Sequence, residues 1–261
     1  MRLKLIIAYD GSSFAGWQSQ SSKRGIQDHL EKALMELTGR RIILHGAGRT
    51  DAGVHALAQC AHIDLGEVHE KMSDPARWRT ALNASLTPEL RVLKVQKISP
   101  SFHARFSAKS KIYRYTIWHG DVMPPLYHQR AWHLYGPFDF QLLQELGKAI
   151  IGTHDFRGFT AKLGTTLKNT QRTIHSVSVV RQGAKITISF HGNGFLYHMV
   201  RMLVGAMVRV AQGKSTKKEF LNRLHSGKPA TAPKLAPAGG LTLVKVFYKD
   251  KNEYKRNVSS N

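Results

Sequence analysis

The chain has 261 residues, 42% of them hydrophobic, enough for the core of one large domain or two small ones and too many for wholesale disorder. Lys and Arg number 39 against 17 Asp and Glu, a formal net charge of +22. That excess is more than an enzyme of neutral substrates needs. It suits a polyanion, whose condensed counterions are released on binding; the alternative is solubility alone. An anionic membrane surface is disfavoured, since no basic amphipathic helix or lipidation signal is visible.

In chain order, MRLKLIIAYDG opens with Leu3, Leu5, Ile7 and Tyr9 on one face of a strand, and turns acidic too soon for a signal peptide. GSSFAGWQSQSSKRG follows as a glycine- and serine-rich loop. IQDHLEKALMEL places Ile26, Leu30, Ala33, Leu34 and Leu37 on one helical stripe, with Gly39 to stop it. RIILHGAG and ALAQCAHIDL read as strands. Ser73 or Asp74 caps a second helix with Pro75 in its first turn, and LRVLKVQKI is a fourth strand. This β-α-β-β-α-β order is the split ferredoxin-like pattern.

The second half follows a similar plan. In the strand KIYRYTIW, Tyr113, Tyr115 and Ile117 face one side, Arg114 and Thr116 the other. RAWHLYG is a short extra strand. Asp139 caps the helix FQLLQELGKAII, which Gly152 ends. RTIHSVSVV and AKITISF pair across Gln182-Gly183, FLYHMVRMLVGAMVRVA and TKKEFLNRLH are helices, and LTLVKVFY is a closing strand. The pattern predicts an α/β (α+β) protein of two ferredoxin-like or RRM-like domains, with mainly antiparallel sheets flanked by helices. Their spans are 1–104 and 105–248, with a charged, frayed tail over 249–261. HSGKPATAPKLAPAGG (225–240) reads as an extended loop. The single cysteine, Cys60, excludes an intrachain disulfide and a cysteine zinc site, and its apolar setting marks it as a buried small hydrophobe. No apolar run reaches membrane-spanning length, and the chain reads as cytoplasmic.

The stretch HGAGRTDAGVHA sets one carboxylate, Asp51, in a glycine-rich bend two positions after Arg49. With no second carboxylate nearby, the two-carboxylate logic of glycoside hydrolysis does not apply. A lone carboxylate suits nucleophilic or base catalysis when a cation keeps it ionised; the bland alternative is an Asx-turn aspartate. On the long second-half helix, His198, Arg201, Gly205 and Arg209 share a face. An arginine on so apolar a helix wants an anionic partner, against the alternative of a solvated polar stripe. Tyr113 and Tyr115 suit either sheet packing or stacking on a base. His45, Asp51, His55, His62 and Asp64 cluster in sequence, but no H-E-x-x-H or comparable spacing occurs, so no metal site is assigned. No phosphate-cradling P-loop is present, and the Rossmann fingerprint lacks its strand–helix context, so no nucleotide cofactor is expected.

Taken together, YDGSSFAGWQSQ, GRTDAGVHA, SFHARFSAKSKIYRYTI, GTHDFRGF, NGFLYHMVRMLVG and APAGGLTL resemble, in order and over nearly the full length, the tRNA pseudouridine synthase A family, which acts on the anticodon arm. GRTDAGVHA is the most specific of these motifs. TPELRV (87–92) departs from the proline-containing turn and acidic, aliphatic run more usual there. The resemblance implies an isomerase that converts uridines 38, 39 and 40 of tRNA to pseudouridine by base flipping, with no cofactor, at an active-site cleft between the two domains. It implies Asp51 as the essential carboxylate and Arg49 as the residue filling the vacated stack. Tyr113 would pack on the target base, Arg201 would pair with Asp51, and Leu241 would form apolar wall. Arg24, Arg105, Lys109 and Lys111, in basic segments around the motifs, are its RNA-contact candidates. The implied partners are a tRNA anticodon stem-loop and a second copy of the chain in a homodimer, with no membrane. The rivals are a non-catalytic RNA-binding protein on the same fold, a paralogue acting on another RNA, and a metal-dependent hydrolase of RNA.

Overall fold

The computed structural model describes residues 1–66, 74–160, 169–226 and 235–248. The expected cap Ser73, most of the loop expected at 225–240, and the expected tail over 249–261 lie outside the described residues. The chain divides into two compact units. The first takes Met1–Lys109 and the chain from Leu243; the second takes Ser110–Thr242.

In the first unit, β1 (Arg2–Tyr9) alternates as its sequence predicts, with Leu3, Leu5, Ile7 and Tyr9 buried. It pairs antiparallel with β3 (His55–Asp64) on one side and β4 (Leu90–Ile98) on the other. Helix α1 (Ile26–Thr38) buries Ile26, Leu30, Ala33 and Leu34, and ends where the Gly39 N–H reaches Met35 O at 2.8 Å. Asp74 caps α2 (Pro75–Ser85) by accepting from Ala76 N–H.

The alternation predicts a strand over RIILHGAG, yet β2 is only His45–Gly46, paired with His62 and Ala61. Ile42 and Leu44 are buried as a strand residue would be. Side chains of α1 take the backbone groups that a neighbouring strand would have used. Glu31 Oε1 accepts from Leu44 N–H at 3.0 Å, and Gln27 Nε2 donates to Leu44 O at 3.3 Å. The sheet runs β4-β1-β3, and β3 is bonded further to β2 and to β10 (Leu241–Phe247). The closing strand, expected in the second half, therefore returns to the first unit from Leu243 onward.

The second unit has a sheet of order β5-β9-β8-β7, formed by Ser110–His119, Lys185–Gly192, Gln171–Gln182 and Gly152–Asp155. These pairings are antiparallel, while β6 (Trp132–Leu134) joins β5 in parallel. Gln182 pairs with Lys185, so the two-residue turn of the β8–β9 hairpin is Gly183-Ala184, one position later than the expected Gln182-Gly183, because Gln182 still belongs to the ladder. Helix α3 (Phe140–Ala149), capped by Asp139 on Leu142 N–H, packs on β8 and on α4 (Met199–Ala211). It stops at Ala149, with Ile150 and Ile151 between it and the strand that opens with Gly152. Helix α5 is Lys217–Ser226.

The expected start of α4 lies too early. Met199 is its first residue, and His198 is the N-cap with φ 61°, in the left-handed region. Phe195 and Leu196 extend the apolar pattern without being helical, because Leu196 is buried as a loop residue and Phe195 meets Tyr113 edge-on. Within α4 every residue is buried except Arg201 and Arg209.

Each unit holds a histidine that its surroundings keep neutral. Burial, then Arg2, His45 and His103, bring the His62 pKa down to about 4 against a weaker opposing pull from Asp64; burial and His175 do the same to His191. The unfolded chain takes up protons on both near pH 6.5, and the folded protein does not until near pH 4. Stability present above pH 6.5 should therefore fall across that window. His62→Asn keeps a hydrogen-bond acceptor without the titration, and urea midpoints measured from pH 7 to pH 4 should fall less steeply in this variant than in the wild type.

Candidate functional site

The bend around Asp51 has no secondary structure of its own and is fixed residue by residue. Ala47 N–H donates to Cys60 O at 2.8 Å, and Gln59 Nε2 donates to Gly48 O at 2.9 Å, both from β3. Thr50 is buried, its Oγ1 2.8 Å from the Tyr9 hydroxyl on β1. Its carbonyl accepts from Trp17 N–H at 3.0 Å. Val54 N–H closes a turn onto Asp51 O at 3.2 Å, and Gly53, third in that turn, has φ 79°, which a type II turn requires. Asp51 is half-buried and Arg49 exposed.

The facing loop completes the cradle. Asp10 accepts from Ser12 N–H at 3.0 Å and starts a short turn, Gly11–Ser13; Gly11 N–H donates to His55 Nδ1 at 3.1 Å. A Cβ on Gly11 would lie 2.1 Å from Val54 O, and one on Gly16 would lie 2.8 Å from Thr50 O. Two backbones touch here, which only glycine permits. Composition alone marks this loop as a turn; its fit against the Asp51 bend is a contact between segments some forty positions apart that no local pattern carries. Burial pushes the Tyr9 phenol up, so it stays protonated beneath Thr50. Cys60 is buried behind the bend, its thiol pushed up to about 11 by burial, which suits the small-hydrophobe reading.

In the second unit, Tyr113 is 8% exposed, its ring edge-on to Phe195 at 5.1 Å. Tyr115 is fully buried, and its hydroxyl donates to Pro237 O at 2.8 Å. Of the two tyrosines, Tyr115 is a packing residue. Arg201 is tied to the segment before β10: its Nε donates to Ala236 O at 2.8 Å, and Ala236 N–H donates to Arg201 O at 3.2 Å. The second unit thus brings Arg201 and Tyr115 onto residues 236–237, four or five positions before Leu241, itself buried.

Among the RNA-contact candidates, Arg24, Arg105 and Lys109 are exposed and Lys111 is half-buried. Arg24 donates to Ser13 O at 3.4 Å, on the loop facing the Asp51 bend. The histidines that cluster in sequence separate by role: His55 accepts from Gly11, while His62 Nδ1 accepts from Ala104 N–H at 3.2 Å. The His62 lone pair is engaged by backbone, and His55 Nδ1 also lies 3.1 Å from Asp10 Oδ1. Among the described residues, no group of three or more His, Cys, Asp or Glu is arranged to hold a metal ion, and no helix is long and apolar enough to cross a membrane.

Comparison with known proteins adds a family. A family model described as tRNA pseudouridine synthase matches residues 5–107 and 147–249. The chain is 40% identical over 250 residues to the tRNA pseudouridine synthase A of Maridesulfovibrio salexigens, covering 95% of this chain and 90% of that protein. It is 42% identical over 255 residues to the protein of that name from Solidesulfovibrio magneticus, covering 95% and 91%. The corresponding protein of Akkermansia muciniphila is 39% identical over 255 residues, covering 95% and 96%.

The contact of Gly11 with Val54 O is the tightest point of the cradle. Gly11→Ala should lower the free energy of unfolding by about 1 to 3 kcal/mol, the range for overpacking at a well-packed point. Urea denaturation followed by circular dichroism reads this directly.

Proposed function

The chain belongs to the tRNA pseudouridine synthase family, and on that premise we propose how its residues carry the reaction. It is an isomerase that converts uridine in tRNA to pseudouridine. The bond between ribose C1′ and uracil N1 breaks, and a bond between C1′ and C5 forms. The proton on C5 is lost to solvent and N1 gains one. Electrons and atoms balance without an oxidant, a donor or a net hydrolysis.

The observation that carries the assignment is Asp51, one carboxylate in GRTDAGVHA, held half-buried in a turn whose neighbours Gly48 and Thr50 are bonded to β3, β1 and the facing loop. A fixed carboxylate acts on the nucleotide in one of two ways, by attack on it or by removal of a ribose proton. Uracil atoms inside a stacked stem or loop are out of reach, so the target nucleotide is flipped out. Arg49, exposed two positions before Asp51, takes the vacated place in the stack. Tyr113 packs against the extruded uracil, and Leu241 contributes apolar wall that excludes water. Arg201 has the role of keeping the carboxylate ionised. Arg24, Arg105, Lys109 and Lys111 contact phosphate, in keeping with the +22 charge. The targets are uridines 38, 39 and 40 of the anticodon stem-loop, and the enzyme works as a cytoplasmic homodimer on one tRNA.

Tritium at uracil C5 of unmodified tRNA tests the chemistry, because its release requires the C5 proton to leave. Wild type should release it without added metal. Asp51→Ala and Asp51→Asn should release none and bind tRNA nearly as well as wild type; turnover by Asp51→Ala overturns the mechanism. Arg201→Ala should reduce the rate of release more than tRNA affinity. A loss of affinity alone would make Arg201 a phosphate contact.

A further inference from the structure

Beyond β4, residues 99–107 form a loop of the first unit with an unusual density of backbone anchors. Arg2 donates to the carbonyls of Pro100 and Phe102, and Phe102 N–H donates to Ser99 O at 3.0 Å. His103 N–H donates to Ser107 Oγ at 3.0 Å, and Ser107 N–H returns to His103 O at 2.9 Å. Ala104 is held at both ends, its N–H on His62 Nδ1 and its carbonyl accepting from the Tyr248 hydroxyl at 2.8 Å. The N–H groups of Arg105 and Phe106 both donate to His103 Nδ1, at 3.1 and 3.3 Å.

Within this braced loop Phe106 is 76% exposed. Its ring lies on that of His103, with centroids 4.3 Å apart and planes 34° from parallel. His103 in turn meets His62 edge-on at 4.7 Å, and His62 is stacked with His45 at 4.9 Å. The Arg105 guanidinium sits 5.6 Å from the Phe106 centroid. Because His103 Nδ1 accepts two N–H groups, its imidazole is neutral, an uncharged support beneath the phenyl ring. A single exposed apolar side chain is ordinary on a protein surface. One held by a braced loop, with a ring behind it and a guanidinium beside it, is a prepared surface, and ordering it on binding costs little further entropy.

We infer that Phe106 is a stacking platform for an unpaired base of the RNA substrate, with Arg105 taking the adjoining phosphate. The inference rests on the tRNA reading above and adds a base contact to it. Charge complementarity selects this occupant: beside the Arg105 guanidinium, on a chain carrying +22, a nucleotide brings a flat π-face and a negative charge together. Phe106 lies outside the residues assigned to the reaction and acts in holding the RNA.

Binding of unmodified tRNA, measured by fluorescence anisotropy over a range of salt, tests it. Phe106→Ala should weaken binding about tenfold at every salt concentration and leave the salt slope unchanged, as loss of one stacked base does. Arg105→Gln should instead reduce the salt slope by about one. In Phe106→Trp, affinity should be kept, and the new indole should be quenched by tRNA beyond any change in the wild type, whose Trp17, Trp78 and Trp132 are buried and whose Trp118 is half-buried. Unchanged tRNA affinity in Phe106→Ala, with the wild type binding and isomerising tRNA, overturns this inference and leaves the enzyme assignment standing. Conversion of a dimer to a monomer by Phe106→Ala in sedimentation also overturns it, because the ring would then be covered by a second copy. A wild type that neither binds nor isomerises tRNA overturns the function, and the platform with it.

Discussion

The contact on which the site depends is backbone against backbone: the loop from Asp10 to Trp17 lying on the bend from Thr50 to Val54. Apart from the single helical turn Gly11–Ser13, neither segment has a helix or sheet ladder to satisfy its amides. Trp17 N–H and Thr50 O satisfy each other, and Gly11 passes the Val54 carbonyl at a distance that leaves no room for a side chain. The tyrosine of β1 and the glutamine of β3 supply the remaining anchors. A carboxylate on such a bend is placed by regular strands at one remove, which is how a loop residue acquires positional accuracy.

Much of the fold is legible in the sequence where a period exists. The alternation of β1, the stripe and Gly39 stop of α1, the Asp139 cap and the pairing of β8 with β9 follow from local rules, though the turn itself lies one residue later than its glycine suggests. The misreadings share a cause, since each turns on a partner distant in sequence. Residues 41–47 have the apolar spacing of a strand, but glutamine and glutamate from α1 answer the Leu44 backbone. The start of α4 was hidden because Phe195 and Leu196 are apolar for packing reasons unconnected with helix. The closing strand announces itself by alternation, and alternation does not say which sheet receives it. At the site, the GRTD motif made Asp51 visible, whereas Gly11 and Gly16 look like any glycines in a serine-rich loop until the facing carbonyls are known.

The histidines show a related economy. Fourteen of them in a strongly basic chain suggest either metal ligands or additional charge for RNA. His62 and His103 do neither. Their Nδ1 atoms accept backbone N–H groups, and burial together with neighbouring cations keeps both below their ordinary pKa. They act as neutral, flat, hydrogen-bonding spacers that brace a loop, leaving the positive field to Lys and Arg.

The return of β10 to the first unit has a bearing on synthesis. Proteins emerge from the ribosome amino end first, and domains made of contiguous chain fold as they appear. The second unit is contiguous and obeys that order. The first does not: the strand beside β3, the carbonyl of Phe247 that receives Lys109 N–H, and the Tyr248 hydroxyl that clasps Ala104 all arrive only after the whole second unit has been made. The half that is made first is therefore completed only after the second unit has been made, and the bracing of the Phe106 loop waits on that return.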